Sequence, residues 1–460
     1  MRPRNWQQEC VDAAVSKFLS GKKTFFVQAT PGAGKTYMAA VLASELLQRN
    51  LIDYVICFSP SITVSNSIRN TFESVLKRGM SGLLGDVGAA YTYQYLSTAQ
   101  AERFKVLSNS RVFVIFDEIH HASGDNDGLA NSWGREILTK VSNRAAYILS
   151  MTGTPWRSDQ HPITLATYIM PKGLIGCDYT YGMMSAIRDS VCRAPEINLI
   201  DNDQLLVDGK PYSSIESALL DSELRYDSFL DNEVALNHIL SLASKRLRAV
   251  RENHGNAGGL IVAKSVEHAL YIYQILSNKL NQTAVIVTYL DPNSQKVIEE
   301  YRLSNVDWIV SVAMISEGTD IPRLRVCVHL SNVRTELFFR QVLGRVLRLI
   351  PNQDNDIGWL YTFSEPDLVE FATRVQDDIP KSELVVVKRS IGEITDWDLA
   401  SVTLKTRPRP EEQHITSTPN NELSWGSCSD IDRRSHVIAS QLKFSLEGSF
   451  RQQVYSVLRI

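Results

Sequence analysis

Short, mostly apolar runs punctuate the first third of the chain: Thr24 to Ala29, Val55 to Ser59, Arg111 to Phe116 and Ala145 to Met151. Apolarity sustained over so few residues predicts strands buried on both faces. Between them, Lys35 to Arg49 brings Met38, Val41, Leu42 and Leu46 near one helical face, and Ser61 to Leu76 reads as a second helix opening after Pro60. Strands alternating with helices predict a parallel sheet with helices packed on it.

The pattern changes from about Met170. A polar patch around Asp201 to Gly209 leads to a helical stretch, Asn232 to Arg251, whose end carries Lys245, Arg246, Arg248 and Arg251. That basic end is expected either to be a solvated face complementing the helix dipole or to touch a phosphate backbone. Alternation then resumes, with strand-like runs at Gly259 to Ala263, Ala284 to Tyr289, Trp308 to Val312, Val326 to Leu330 and Ile357 to Phe363, and helices after Ser265, Asn293 and Thr335. The expected organisation is an α/β unit over 1–170, a connector with a helical segment over 171–256, a second α/β unit over 257–365 and a small accessory region over 366–460. Two such units predict a ligand between them, at the carboxyl ends of their strands.

Composition narrows this only a little. The 460 residues are 44% hydrophobic and carry 48 basic against 51 acidic side chains, so any polyanion must be held by a local groove. Cys10, Cys57, Cys177, Cys192, Cys327 and Cys428 are scattered without zinc-ligand spacing, and are read as reduced thiols. No stretch approaches the roughly 18 apolar residues of a membrane span, and a cytoplasmic location is expected.

The chemistry begins where the first strand ends. Thr30-Pro31-Gly32-Ala33-Gly34-Lys35-Thr36 sits between a predicted strand and a predicted helix, the setting a phosphate-binding loop requires. Glycines at 32 and 34 let backbone N–H groups around Ala33 turn toward phosphate oxygens. Lys35 supplies a point charge, and Thr36 offers a hydroxyl to Mg²⁺. Downstream, the apolar run ending at Phe116 delivers Asp117 and Glu118 to a strand's carboxyl end, where a Mg²⁺-bound triphosphate would lie. Asp117 is placed to hold the metal, and Glu118 to orient and deprotonate an attacking water. The adjoining His120 and His121 lack a third ligand at supporting spacing, so a metal site there is not expected.

Asp117-Glu118-Ile119-His120 resembles the Asp-Glu-x-His box of superfamily two helicases, and further stretches resemble their motifs in order across about Arg4 to Phe363. The resemblance implies two tandem RecA-like domains with ATP and Mg²⁺ between them. By the same likeness Arg4 and Gln7 belong to the segment at the adenine, with Gln7 on the base. Thr152-Gly153-Thr154-Pro155 resembles the motif whose hydroxyls, together with His120, couple the ATP site to the nucleic-acid groove. Thr92 and Gln94, in a Thr-Tyr-Gln element, would meet the nucleic-acid backbone. Ser316 to Pro322 resembles motif V, with Gly318 and Asp320 toward the nucleotide and Thr319 toward nucleic acid. Gln341 to Arg348 resembles motif VI, whose helical spacing puts Gln341, Arg345 and Arg348 along one face. Its arginines would stabilise charge on the departing γ-phosphate once the cleft closes.

The longer strings, Asp-Glu-Ile-His-His-Ala-Ser and Arg-Asn-Trp-Gln, are more similar to DNA repair helicases and restriction-enzyme motor subunits than to RNA helicases. A DNA helicase or translocase with mainly backbone contacts and steep salt dependence is therefore expected. An RNA-dependent ATPase, and a nucleotide switch acting through a protein partner, stay open. The C-terminal region is the place for such a partner.

Overall fold

The apolar runs become strands. In a computed structural model, residues 2–98, 106–122, 134, 137–154, 163–169, 174–312, 321–349, 357–377 and 443–456 are described. Strands β1 (Thr24–Ala29), β2 (Tyr54–Ser59), β3 (Gly88–Thr92), β4 (Val112–Asp117) and β5 (Tyr147–Thr152) form a parallel sheet. The two-residue strands β6 (Tyr168–Ile169) and β7 (Leu174–Ile175) pair with each other. Strand β8 (Tyr179–Tyr181) completes the first sheet, in the order β3-β2-β4-β5-β1-β8. Every residue of β4 is buried, as its unbroken apolarity requires. The helices Lys35–Gln48 and Ile62–Leu76 form where periodicity placed them. A further helix, Asn5–Leu19, buries Trp6, Cys10, Val11, Ala14, Val15 and Phe18 at helical spacing.

The second sheet has the order β13-β14-β12-β15-β16-β9-β18. Its strands β12 (Gly258–Ala263), β13 (Ala284–Thr288), β14 (Trp308–Val312), β15 (Leu324–Leu330) and β16 (Ile357–Phe363) match the second alternating stretch. Two strands come from outside it. Strand β9 (Ala194–Asn202), within the 171–256 span, runs parallel to β16, and β18 (Phe450–Ser456), within the 366–460 span, runs antiparallel to β9. A small antiparallel sheet joins β10 (Leu205–Val207), β11 (Lys210–Tyr212) and β17 (Phe444–Leu446) in the order β11-β10-β17. Residues from the expected connector and the expected accessory region therefore build the second unit's core.

The basic helix end is used in part within the protein itself. The helix Glu233–Asn253 buries Leu236, Ile239, Leu240, Ala243, Leu247 and Val250 in the second unit. Arg251 donates to the Ala257 and Asn305 carbonyls at 2.7 Å each and pairs with Asp307, while Arg246 lies over the Trp359 ring. Arg251 thus ties loops together within the protein, while Lys245 and Arg248 are exposed, as a solvated helix face would have them. Among the described residues, no helix is long and apolar enough to cross a membrane.

Candidate active site

Strand β1 runs into a tight turn because Gly32 and Gly34 both adopt positive φ, +82° and +92°, which a Cβ would disfavour. The Asn5–Leu19 helix braces that turn. Arg4 donates through Nη1 to the Ala33 carbonyl at 2.8 Å, and Gln7 through Nε2 to the Gly34 carbonyl at 3.0 Å. The Gln7 amide oxygen accepts from the Arg4 N–H at 2.8 Å, so both residues expected at the adenine are joined to each other and to the loop. Thr30 is buried and its N–H donates to the Tyr181 carbonyl at 3.0 Å. Thr36, half-buried, opens the helix Lys35–Gln48 beside the loop.

The Lys35 ammonium is buried, 3.2 Å from the Ala29 carbonyl and 3.3 Å from Glu118 Oε1. Glu118 in turn accepts from the Gly153 N–H at 3.2 Å and from the Thr152 hydroxyl at 3.3 Å, both on Oε2. His120 Nδ1 lies 2.8 Å from the Thr152 hydroxyl, whose oxygen also accepts from the Thr154 N–H at 3.0 Å. The two carboxyl strand ends, β4 and β5, are thus wired together through His120, Thr152 and Thr154, the residues expected to couple. Burial alone would raise the Glu118 carboxyl. Lys35, then His120, the Gly153 N–H and His121, outweigh it and hold the group well below the usual carboxylate range. Glu118 also carries left-handed backbone, φ +51°, a strained conformation that concentrates at functional positions.

Asp117 ends β4 and is buried. Its carbonyl accepts from the Tyr93 hydroxyl at 2.9 Å, and Tyr93 stacks on Phe116. Within the Thr-Tyr-Gln element, therefore, the tyrosine is a core residue that ties β3 to the acidic strand end. Thr92 is half-buried and Gln94 exposed. The hard oxygen donors of Thr36 and Asp117 fit Mg²⁺, which prefers such ligands and keeps several of its waters.

The second unit closes on this loop through two close approaches. A Cβ built on Gly344 would stand 2.8 Å from Pro31 Cβ, and one on Gly32 would stand 3.3 Å from Arg348 Cγ. Gly153 packs on the same proline, where a Cβ would lie 3.2 Å from Pro31 Cδ and 3.3 Å from Lys35 Nζ. Pro31 is where three of the motifs meet. The helix Glu336–Val346 carries Gln341, half-buried, and Arg345, buried. Arg348 departs from expectation: the helix stops at Val346, so Arg348 does not share a helical face with Gln341 and Arg345. It forms an isolated antiparallel bridge with Cys192 instead. The segment with Gly318, Thr319 and Asp320 lies outside the described residues, as does Pro155.

Residues 1–157 match the family model for the res subunit of type III restriction enzymes, and residues 240–349 that of the helicase conserved C-terminal domain. The chain carries the helicase domains those two models describe, in keeping with its resemblance to superfamily two helicases. Its helicase core is 29% identical over 396 residues to the uncharacterized protein ML1624 of Mycobacterium leprae, covering 81% of this chain and 64% of that protein. The chain thus spans less than two thirds of that relative's length. It is 23% identical over 381 residues to the DNA 3'-5' translocase XPB2 of Sulfurisphaera tokodaii, covering 75% of this chain and 78% of that one. Its fold is similar to a fragment described as the HsdR subunit of a type I restriction enzyme from Vibrio vulnificus. That likeness has a TM-score of 0.57 and 17% identity, and covers 82% of this chain and 67% of that one.

Some site residues left little trace in the sequence. Pro31, Gly153 and Gly344 sit inside recognised motifs, yet the packing of both glycines on Pro31 depends on tertiary placement. Tyr93 gave a signal only through its place in the Thr-Tyr-Gln element, and its hydroxyl's partner is 24 residues away.

Proposed function

We propose that this helicase hydrolyses Mg-ATP between its two α/β units and uses the cycle to move along DNA or to separate its strands. The observation that carries the reading is the seating of the second unit's Gly344 and Arg348 on Pro31 and Gly32 of the phosphate loop. An arginine delivered there from a second body stabilises charge on a departing phosphate only while the cleft is closed. Hydrolysis and domain closure are then one event.

Mg²⁺, when bound, would offset the charge of the phosphates. Thr36 and Asp117 are the residues to hold it. Lys35 leaves Glu118 for the phosphates, which removes the largest cationic influence on that carboxylate and lets its proton affinity rise toward that of a working base. Glu118 then orients and deprotonates water. Because Glu118 Oε2 also holds Thr152 and Gly153, its change of partner reaches β5 and the groove beyond it. DNA is favoured by the likeness to a DNA translocase and to restriction-enzyme motor subunits.

The test is steady-state ATP hydrolysis with Mg²⁺ in the absence of nucleic acid and with single-stranded DNA, duplex DNA or RNA. Glu118→Gln serves as control and is expected to lower kcat by about 100-fold or more, the usual scale of a lost general base. DNA stimulation that disappears in Glu118→Gln is the expected result. Stimulation by RNA alone would replace DNA with RNA as the track, and hydrolysis indifferent to every nucleic acid would leave a partner-driven switch.

A further inference from the structure

The turn between Arg345 and Arg348 is held from below by a residue outside every motif. Arg193, immediately before β9, is completely buried, an unusual place for a guanidinium unless its charge has a use. Its Nη1 donates to the Val346 carbonyl at 2.8 Å and the Leu324 carbonyl at 2.8 Å, and its Nη2 to the Pro322 carbonyl at 3.3 Å. Its own N–H donates to the Leu347 carbonyl at 2.7 Å, and the preceding Cys192 bridges to Arg348. Two adjacent residues therefore grip three consecutive ones, Val346, Leu347 and Arg348, and fasten them to the start of β15.

The physics of helix ends gives this grip a consequence. The last carbonyls of a helix lack intrahelical partners, and a cation beside them is favoured by the dipole. Arg193 occupies that position at the end of Glu336–Val346, so the chain turns out of the helix there. It is this exit that sends Arg348 toward Gly32, since a helix continued to residue 348 would carry Arg348 round with Gln341 and Arg345. Burial, and next the nearby Arg325, press the Arg193 guanidinium down to about 9, which leaves it charged at neutral pH.

We propose that Arg193 is a positioning residue for hydrolysis: its planar fork sets the exit of the arginine-bearing helix so that Arg348 meets the phosphate loop. The proposal rests on the hydrolytic reading above. Arg323 supplies the comparison, being a second buried arginine of the same unit that donates to three carbonyls, those of Asn256, Tyr301 and Val306, none of which belongs to residues 346–348.

The experiment measures kcat and KM for Mg-ATP with DNA, affinity for a non-hydrolysed β,γ-imido analogue, and the thermal unfolding midpoint, in wild type, Arg193→Met, Arg193→Lys and Arg323→Met. Arg193→Met is expected to lose about tenfold or more in kcat while analogue affinity changes by less than about threefold, because the arginines act on charge that develops during reaction. Arg193→Lys is expected to recover part of that loss, a single ammonium reaching fewer carbonyls than the fork. Arg323→Met should lower the unfolding midpoint comparably yet keep kcat near wild type. Equal kcat losses in Arg193→Met and Arg323→Met, or none in Arg193→Met, would overturn the proposal. If Arg193→Met does not fold, Arg193→Lys decides, a lowered kcat at constant affinity supporting it and wild-type values overturning it. A wild type that never hydrolyses ATP would instead defeat the hydrolytic reading itself.

Discussion

Glu118 gathers most of the site's physical tension in one residue. Its backbone is strained, and its carboxylate is held ionised by Lys35, His120 and the Gly153 N–H against the cost of burial. A carboxyl depressed below its unfolded value, about 4.3 for Glu, adds stability that is present above that pH. The contribution is lost as pH falls toward the folded-state value. Urea unfolding of wild type and Glu118→Gln should therefore give a stability difference, wild type minus variant, that is smaller at about pH 3.5 than at pH 7. An unchanged difference would mean that Lys35 and His120 do not hold the carboxylate in solution.

At the scale of elements, three segments converge on Pro31: the phosphate loop, the turn after β5 and the helix Glu336–Val346. Glycine at 344 is needed there for approach rather than for backbone freedom, since the residue is helical and a Cβ would stand 2.8 Å from Pro31 Cβ. Gly344→Ala makes this separable from stability, because alanine in a helix interior is favoured over glycine by about 1 kcal/mol. The variant should melt no lower than wild type and yet lose about 10- to 100-fold in kcat, the scale of small misplacements in an active site. Parallel measurements of unfolding midpoint and ATP turnover check it. Full activity would show that the contact is not part of the working cleft.

At the scale of the whole molecule, the second unit is assembled from distant stretches of chain. Strand β18 pairs with β9 over seven positions, from Phe450 opposite Asn202 to Ser456 opposite Glu196, and β17 closes the small sheet beside it. Ending the chain after residue 377 removes both and leaves β9 as an open edge, with unpaired backbone groups that favour aggregation. The truncated chain should unfold at a midpoint lower by roughly 5 °C or more, since each kcal/mol moves a domain of such size by about 2–4 °C. It should also elute early on size exclusion. Intact behaviour would show that the second sheet closes without its terminal strand. Because β9 follows directly from Arg193, any slackening of this edge should reach the helix exit that Arg193 holds.

Much of this protein was legible residue by residue. The buried strands announced themselves by unbroken apolar runs, as in β4 and β12, because a strand covered on both faces has no solvent side to show. The phosphate loop was legible because its chemistry is local: two glycines, a lysine and a hydroxyl lie within a few residues, between a strand and a helix. The acidic pair was legible for the same reason, whereas the coupling of His120, Thr152 and Thr154 was expected only from the resemblance to helicase motifs, and their bonds between β4 and β5 were set by the fold. Only the tertiary structure decided the rest. Strands β9 and β18 mix polar with apolar residues and their pairing is chosen by partners far away in the chain, so nothing in their own periodicity assigns them to a sheet. Arg348 reads as helical until Arg193 ends the helix, and the meeting of Gly153 and Gly344 on Pro31 exists only once both units are folded and closed. Local chemistry is written in local sequence, whereas a contact between bodies is set by the packing of everything that lies between them.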